Sequence, residues 1–134
     1  ILLNEILIKD YVDIKFTKVS KDASIKNTIE LLLNNNTTEG YIVSNDNKYI
    51  GKVSLLNLIN KNETDLIKYI EKKPIVIDPN SSLIFVIKKL SNFVGESIPI
   101  VNLKTNEMIG IISENDVLKA YLQISEEINQ VEKH

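Results

Sequence analysis

Ser113 and Asp116 stand three residues apart in the run Gly110-Ile111-Ile112-Ser113-Glu114-Asn115-Asp116, and that spacing suits two kinds of chemistry. A serine where a short apolar strand becomes a helix can accept a bond from the orphan N–H groups of the first helical turn. Those N–H groups and the helix dipole also attract phosphate. A carboxylate one turn further on offers two charged acceptors, enough for a vicinal diol such as a ribose. The same S-x-x-D pair can instead close on itself as a capping box. Gly110 lets the backbone bend or approach a neighbour closely.

The motif occurs twice. Gly51-Lys52-Val53-Ser54-Leu55-Leu56-Asn57 has the same glycine and serine, with Asn57 in place of the carboxylate. Upstream, Tyr41-Ile42-Val43 aligns with Pro99-Ile100-Val101, and Ile25, Ile29 and Leu32 align with Leu83, Ile87 and Leu90. Val19 aligns with Ile77, and Leu7-Ile8-Lys9 with Leu66-Ile67-Lys68. One unit of roughly 60 residues is therefore repeated, divided as 1–61 and 62–134. Each unit is marginal alone, so the two should share a core.

The elements that must carry these motifs follow from periodicity and turn residues. A helix is expected over Leu2–Val12, with Leu3, Ile6, Leu7 and Ile8 apolar, and a strand over Phe16–Val19. Ser24 should cap a helix marked by Ile25, Ile29, Leu32 and Leu33, and Asn34-Asn35-Asn36 should end it. Tyr41–Ser44 and Tyr49–Val53 read as a hairpin around Asn45-Asp46-Asn47, which is turn composition and no calcium loop. A short helix follows Ser54. The second unit repeats the order: helix Glu63–Lys72, strand Ile75–Ile77, turn Asp78-Pro79-Asn80, helix Ser82–Phe93, hairpin Ser97–Ile112 and a long helix from about Glu114 to Val131. The last helix is apolar on Val117, Ala120, Tyr121, Ile124, Ile128 and Val131, with Leu118 and Leu122 beside them. The architecture is α/β: two pseudo-symmetric units whose small mixed sheets are packed by helices, with clefts between.

Composition excludes several functions. The chain has 134 residues, 43% hydrophobic and 25% charged, with a net charge of −2. No basic field is available to recruit nucleic acid or an acidic membrane. All positive charge comes from lysine; without arginine there is no bidentate fork for phosphate. Cysteine is absent, which removes disulfides and thiolate metal sites. The longest apolar run, Leu83-Ile84-Phe85-Val86-Ile87, is far short of the ~20 residues of a membrane span. The only histidine is His134, and no nucleophile–base pair, metalloprotease motif or phosphate-binding P-loop is present, so no enzyme activity is expected. No metal site is expected either. The chain opens on Ile1, which suggests a piece of a longer protein with a partner domain N-terminal to it.

The whole pattern resembles the CBS domain pair, or Bateman module. The strand Ile98-Pro99-Ile100-Val101, the hairpin after it and Gly110-Ile111-Ile112-Ser113-Glu114-Asn115-Asp116 match that family's h-P-V-V-D … G-h-h-[ST]-x-x-D pattern, with Asn102 where the family often has Asp. The first copy keeps Gly51 and Ser54 but has Asn57, and Gly40-Tyr41 lacks the proline. The resemblance implies a regulatory module that binds adenosine ligands (AMP, ADP, ATP or S-adenosylmethionine) between the units. It implies that Asp116 accepts the ribose hydroxyls and Ser113 meets phosphate. By the same resemblance Ile75 and Val76 contact adenine, and Ile98 and Pro99 line the cleft. Ser54 and Asn57 would form a weaker first-copy site. The alternative is a ligand-free structural dimerisation module of a chloride channel or other membrane transporter, to whose tails the helix from Val117 to Tyr121 is similar. Either way a homodimer is expected, because Leu90, Phe93, Tyr121 and Ile124 lack a partner within a thin two-unit disc. The location expected is cytoplasmic, at the face of a membrane protein if one is the linked partner, with no direct membrane insertion.

Overall fold

Serine caps set two of the helices. The computed structural model describes residues 5–61, 65–71, 74–93 and 95–132, with side chains through residue 129. Helix α1 (Ile25–Asn34) begins at Ser24, whose Oγ accepts from the N–H of Asn27 at 3.0 Å. Helix α3 (Leu83–Leu90) begins at Ser82, which accepts from Phe85 N at 3.1 Å. Each such cap is worth about 1 kcal/mol. After α1 the chain turns through Asn36 at φ 53°, a left-handed conformation that asparagine tolerates.

Strands β1 (Lys18–Ser20), β2 (Glu39–Val43) and β3 (Tyr49–Ser54) form one sheet, β1 parallel and β3 antiparallel to β2. Strands β4 (Ser97–Val101) and β5 (Met108–Ser113) form an antiparallel pair. Val19 sits opposite Ile42, and Ile77 bridges Ile100 in the same parallel sense. The strand expected over Ile75–Ile77 thus shrinks to that bridge. Both β-hairpins carry an irregularity at the same place, Ile42/Val43 and Ile100/Val101. Helix α2 (Leu55–Leu58) follows β3, and α4 (Glu114–Glu132) follows β5.

The two hairpin tips are stitched to each other almost symmetrically. Tyr49 N donates to Asn106 O at 2.9 Å and Met108 N to Asn47 O at 3.0 Å. The side-chain amides of Asn47 and Asn106 donate to Met108 O and Tyr49 O, both at 2.9 Å. Asn47 and Asn106 each have φ 63°, which aims these groups across the joint. Beneath it Tyr41, Tyr49, Val101 and Met108 pack as an apolar cluster shared by the units.

The opening segment of each unit packs into the other unit. Ile8 is wholly buried among Ile77, Leu83, Val86 and Ile98. Its N–H donates to Ser81 O at 3.0 Å, and Leu83 N donates to Ile6 O at 2.7 Å. Asp13 and Ile111 exchange two backbone bonds of 2.8 and 2.9 Å. Conversely, Leu66 is buried among Val19, Ile25, Leu32 and Leu58. Glu71 N donates to Lys52 O at 2.8 Å. These backbone commitments explain why the two expected opening helices are not helices here. Ile8–Tyr11 and Leu66–Tyr69 are single 3₁₀ turns. Leu2, Leu3, Glu63, Lys72, Val131 and His134 lie outside the described side chains. The rest of the expected α4 stripe divides: Val117, Ala120 and Ile124 are buried, while Leu118, Tyr121 and Leu122 are exposed. Ile124 therefore belongs to the second core and not to a free face.

Candidate functional site

At the β5–α4 junction Ser113 and Asp116 cap one another. Ser113 Oγ accepts from Asp116 N at 3.1 Å, and Asp116 Oδ2 accepts from Ser113 N at 3.0 Å. This is the capping box that the spacing allowed. Asp116 Oδ1 makes no hydrogen bond among the described residues and stays available. The first copy differs. Ser54 makes no side-chain cap bond, α2 has only four residues, and Asn57 is exposed.

Next to Ser113 lies a polar group outside the S-x-x-D pair. In β4 Ser97 is the cross-strand partner of Ser113, and in the first unit Glu39 is the partner of Ser54. Glu39 and Lys52 are both buried and form an ion pair of 2.6 Å. Lys52 Nζ also donates to Ser97 O at 2.8 Å. Glu39 Oε1 accepts from Glu96 N at 3.0 Å, Ser97 N at 2.9 Å and Ser97 Oγ at 3.1 Å. Since Ser97 gives its proton to Glu39, Tyr41 must donate in the 2.5 Å contact between Tyr41 OH and Ser97 Oγ. Burial pushes the Tyr41 hydroxyl well above its ordinary value. The Lys52 ammonium lies 5.0 Å from the centre of the Phe93 ring, so Phe93 too is engaged within the molecule. A buried charge pair persists only when its remaining lone pairs and protons are met in this way. The available signal was a lysine inside the apolar strand Tyr-Ile-Gly-Lys-Val, but its partner is a cross-strand residue of another segment.

Two clefts flank this network. The larger, about 510 Å³, is bordered by Lys15, Phe16, Thr17, Tyr41, Ser97 and Ser113, with Glu39 and Glu96. The smaller, about 280 Å³, is bordered by Thr38, Ser54, Asn57 and Glu71, and also by Glu39, Lys52 and Glu96. Ser54 and Asn57 thus border the same cleft. The second-copy set is more scattered. Ile98 is wholly buried in the second core, and Pro99 is buried opposite Ile111 in the β4–β5 pair. Ile75 is half-buried against the second core and Val76 against the shared cluster. None of these four, nor Asp116, borders the larger cleft. Its second wall is Lys15, Phe16 and Thr17, because the opening segment of the first unit crosses to pair with Ile111. Among the described residues no group of acidic or histidine side chains could hold a metal ion.

The CBS domain family model matches this chain over residues 8–64 and again over 64–123. Two uncharacterized proteins of Methanocaldococcus jannaschii are similar in sequence. One is 38% identical over 79 residues, 58% of this chain and 46% of the relative. The other is 26% identical over 119 residues, 87% of this chain and 44% of the relative. The matched region thus spans less than half the length of either relative. Among solved structures, CBSX2 of Arabidopsis thaliana in complex with AMP superposes with a TM-score of 0.77 at 20% identity, over 90% of this chain and 98% of that one. CbpB in complex with c-di-AMP gives 0.80 at 16% identity, over 95% and 91%. The cystathionine beta-synthase pair domain of a putative Mg2+ transporter from Shewanella oneidensis gives 0.80 at 16% identity, over 90% and 72%. At such identities the likeness is one of fold.

Proposed function

The chain belongs to the CBS domain family as two tandem copies, and from that premise we propose that it is a regulatory module for an adenosine ligand. The ligand, AMP, ADP or ATP, sits in the cleft beside Ser113, and its occupancy biases a covalently linked domain. The observation that carries this reading is the 510 Å³ cleft whose walls come from both units, Phe16 and Thr17 on one side and Ser113 on the other. A ligand touching both walls binds one arrangement of the units better than another, which is all that a shift of equilibrium requires. The Phe16 ring offers an apolar face to a base. The available oxygen of Asp116 suits a ribose hydroxyl that reaches past Ser113. AMP and c-di-AMP in the structural neighbours support the ligand class. We assign the chain no catalytic step and no resident metal. The linked domain lies outside these residues, a reading supported by the greater length of the two relatives, and the module is cytoplasmic.

Calorimetric titration of AMP, ADP and ATP tests the proposal. Asp116→Ala should weaken binding about tenfold to a hundredfold, as loss of one charged hydrogen bond would. Asn57→Ala should change it less than threefold or so. No heat with any of the three, or with adenosine itself, at about millimolar concentration overturns the ligand reading.

One observation favours a second reading, a ligand-free dimerisation module of a channel or transporter. An apolar groove of about 470 Å³ between α3 and α4 is lined by Ile87, Leu90, Val117, Leu118 and Tyr121. Phe85 and Leu122 are exposed near it on the same two helices. A second copy placed on a two-fold axis would cover such a face. The soluble part of a magnesium transporter is among the structural neighbours, over 93% of this chain. Sedimentation at micromolar concentration should give twice the monomer mass; Leu118→Glu should return it to the monomer mass.

A further inference from the structure

Glu96 borders both clefts, and a third hollow of about 470 Å³ at the start of α4 that is also bordered by Ser113, Glu114 and Asn115. Its placement is not casual. Its N–H donates to Glu39 Oε1 at 3.0 Å, and its own Oε1 accepts from Thr38 Oγ1 at 2.5 Å. Gly95 before it has φ +148°, and a Cβ there would lie 2.8 Å from Phe93 Cζ and 3.0 Å from Glu39 Oε2. The glycine lets the loop lie directly on the buried ion pair. The result is a tethered but solvent-facing carboxylate between all three hollows.

Among the described residues no ion pair engages it. Lys52 is only 4% exposed and is committed to Glu39 and Ser97 O. Among the described residues Lys15 is the one other lysine bordering any of the three hollows, and it reaches only the largest. Glu71 and Glu114 add further negative charge to the other two. The N-terminal end of α4, the natural seat for a phosphate, already holds the Asp116 carboxylate. Resting on the adenosine-ligand reading, we propose that Glu96 is the specificity-determining residue of both clefts, and that it makes affinity fall with each phosphate an adenosine ligand carries. The neutral nucleoside part is what the walls accept: hydroxyls of Thr17, Tyr41, Ser97 and Ser113 with the Phe16 ring.

The test is titration of adenosine, AMP, ADP and ATP into the wild type, Glu96→Gln and Glu96→Lys. The wild type should bind in the order adenosine, AMP, ADP, ATP, each phosphate weakening binding roughly three- to tenfold at low salt. Raising salt to about 0.5 M should compress the series. Glu96→Gln keeps the shape and an acceptor for Thr38. It should leave adenosine within about twofold and tighten ATP most; Glu96→Lys should reverse the order. Ratios between ligands are read within each variant, so a partly unfolded sample does not mimic the effect. If the wild type binds ATP or AMP at least as tightly as adenosine, this proposal fails while the adenosine reading stands. If Glu96→Gln preserves the wild-type ratios, Glu96 is not the discriminator. If none of the four ligands binds, the adenosine reading itself falls and takes this proposal with it.

Discussion

The same strand positions hold different chemistry in the two units. In the first, Glu39, Tyr41 and Lys52 occupy β2 and β3, with Tyr41 and Lys52 directly opposed. In the second, Ser97, Pro99 and Ile111 occupy the matching places in β4 and β5, with Pro99 and Ile111 opposed. The backbone repeats, down to the irregularity in each hairpin; the side chains do not. The first unit spends its inner positions on a buried charge pair that grips Ser97 of the second. The second unit, with small and apolar groups there, carries the complete capping box. Near-symmetry of the chain path thus coexists with a division of labour between fastening and capping.

Removing the fastening should have the largest effect. Lys52→Met leaves Glu39 buried without its counter-charge and should cost about 3–5 kcal/mol in urea or thermal unfolding. Adding Glu39→Gln to Lys52→Met should restore much of that loss, because an uncharged side chain no longer needs the ammonium. If Lys52→Met unfolds within about 1 kcal/mol of the wild type, the pair is not what joins the units.

The exchanged segments come next, and here the two units should behave alike. Ile8→Ala and Leu66→Ala should each cost about 2–4 kcal/mol. Amide hydrogen exchange separates them: Leu66→Ala should loosen β1 to β3, and Ile8→Ala should loosen β4 and β5. Loosening of the unit in which each residue lies by sequence would contradict the exchange.

Smaller effects distinguish the helix starts. Ser113→Ala should cost about 1 kcal/mol and Ser54→Ala only a few tenths, since Ser54 caps nothing. Equal losses would mean that the first-copy motif also closes its helix.

Smallest is a contrast in acid. Asp78 accepts from Asn80 N and Leu103 N, which holds its carboxyl below the ordinary 3.8. Its folded-state value is depressed, so its contribution is complete above that ordinary value and is lost as pH falls through the folded one. Ser20, which occupies the matching turn and accepts from Asp22 N, has nothing to titrate. The destabilisation by Asp78→Ala should therefore shrink in acid, while that of Ser20→Ala should stay constant; urea melts over a pH series compare them.

Much of this was written in local sequence. Ser24 and Ser82 announce helices through their own side chains, and the asparagine-rich turns fix the hairpins. The serine–carboxylate spacing of the second copy specifies its own hydrogen bonds. Apolar positions such as Val19 and Ile77 showed the repeat before any contact was known. The failures share one cause. Leu3, Ile6 and Leu7 have helical spacing, but the backbone groups of Ile6 and Ile8 bond to Leu83 and Ser81 across the chain, and tertiary pairing overrides a weak local preference. The same crossing puts Phe16 and Thr17 beside Ser113 at the larger cleft. Ile98 and Pro99 are cleft residues by family pattern; here both are buried, and of β4 it is Ser97 that borders the larger cleft. The Glu39–Lys52 pair has no local signature, because each charge is explained only by the other.

The exchange of opening segments also fixes when each half can mature as the chain is made. The first core closes only when Leu66 arrives, just inside the second repeat. The second core waits longer, since Ile8 and Asp13, near the start of the first repeat, find Leu83 and Ile111 only once most of the second repeat has been made. Contacts between residues about 100 positions apart are slow to form because the loop must close first. Neither half can be proofread alone: a chain cut between the repeats lacks Leu66 from one core and Ile8 from the other. Folding of the pair is thus a late, joint event on the ribosome rather than two successive ones.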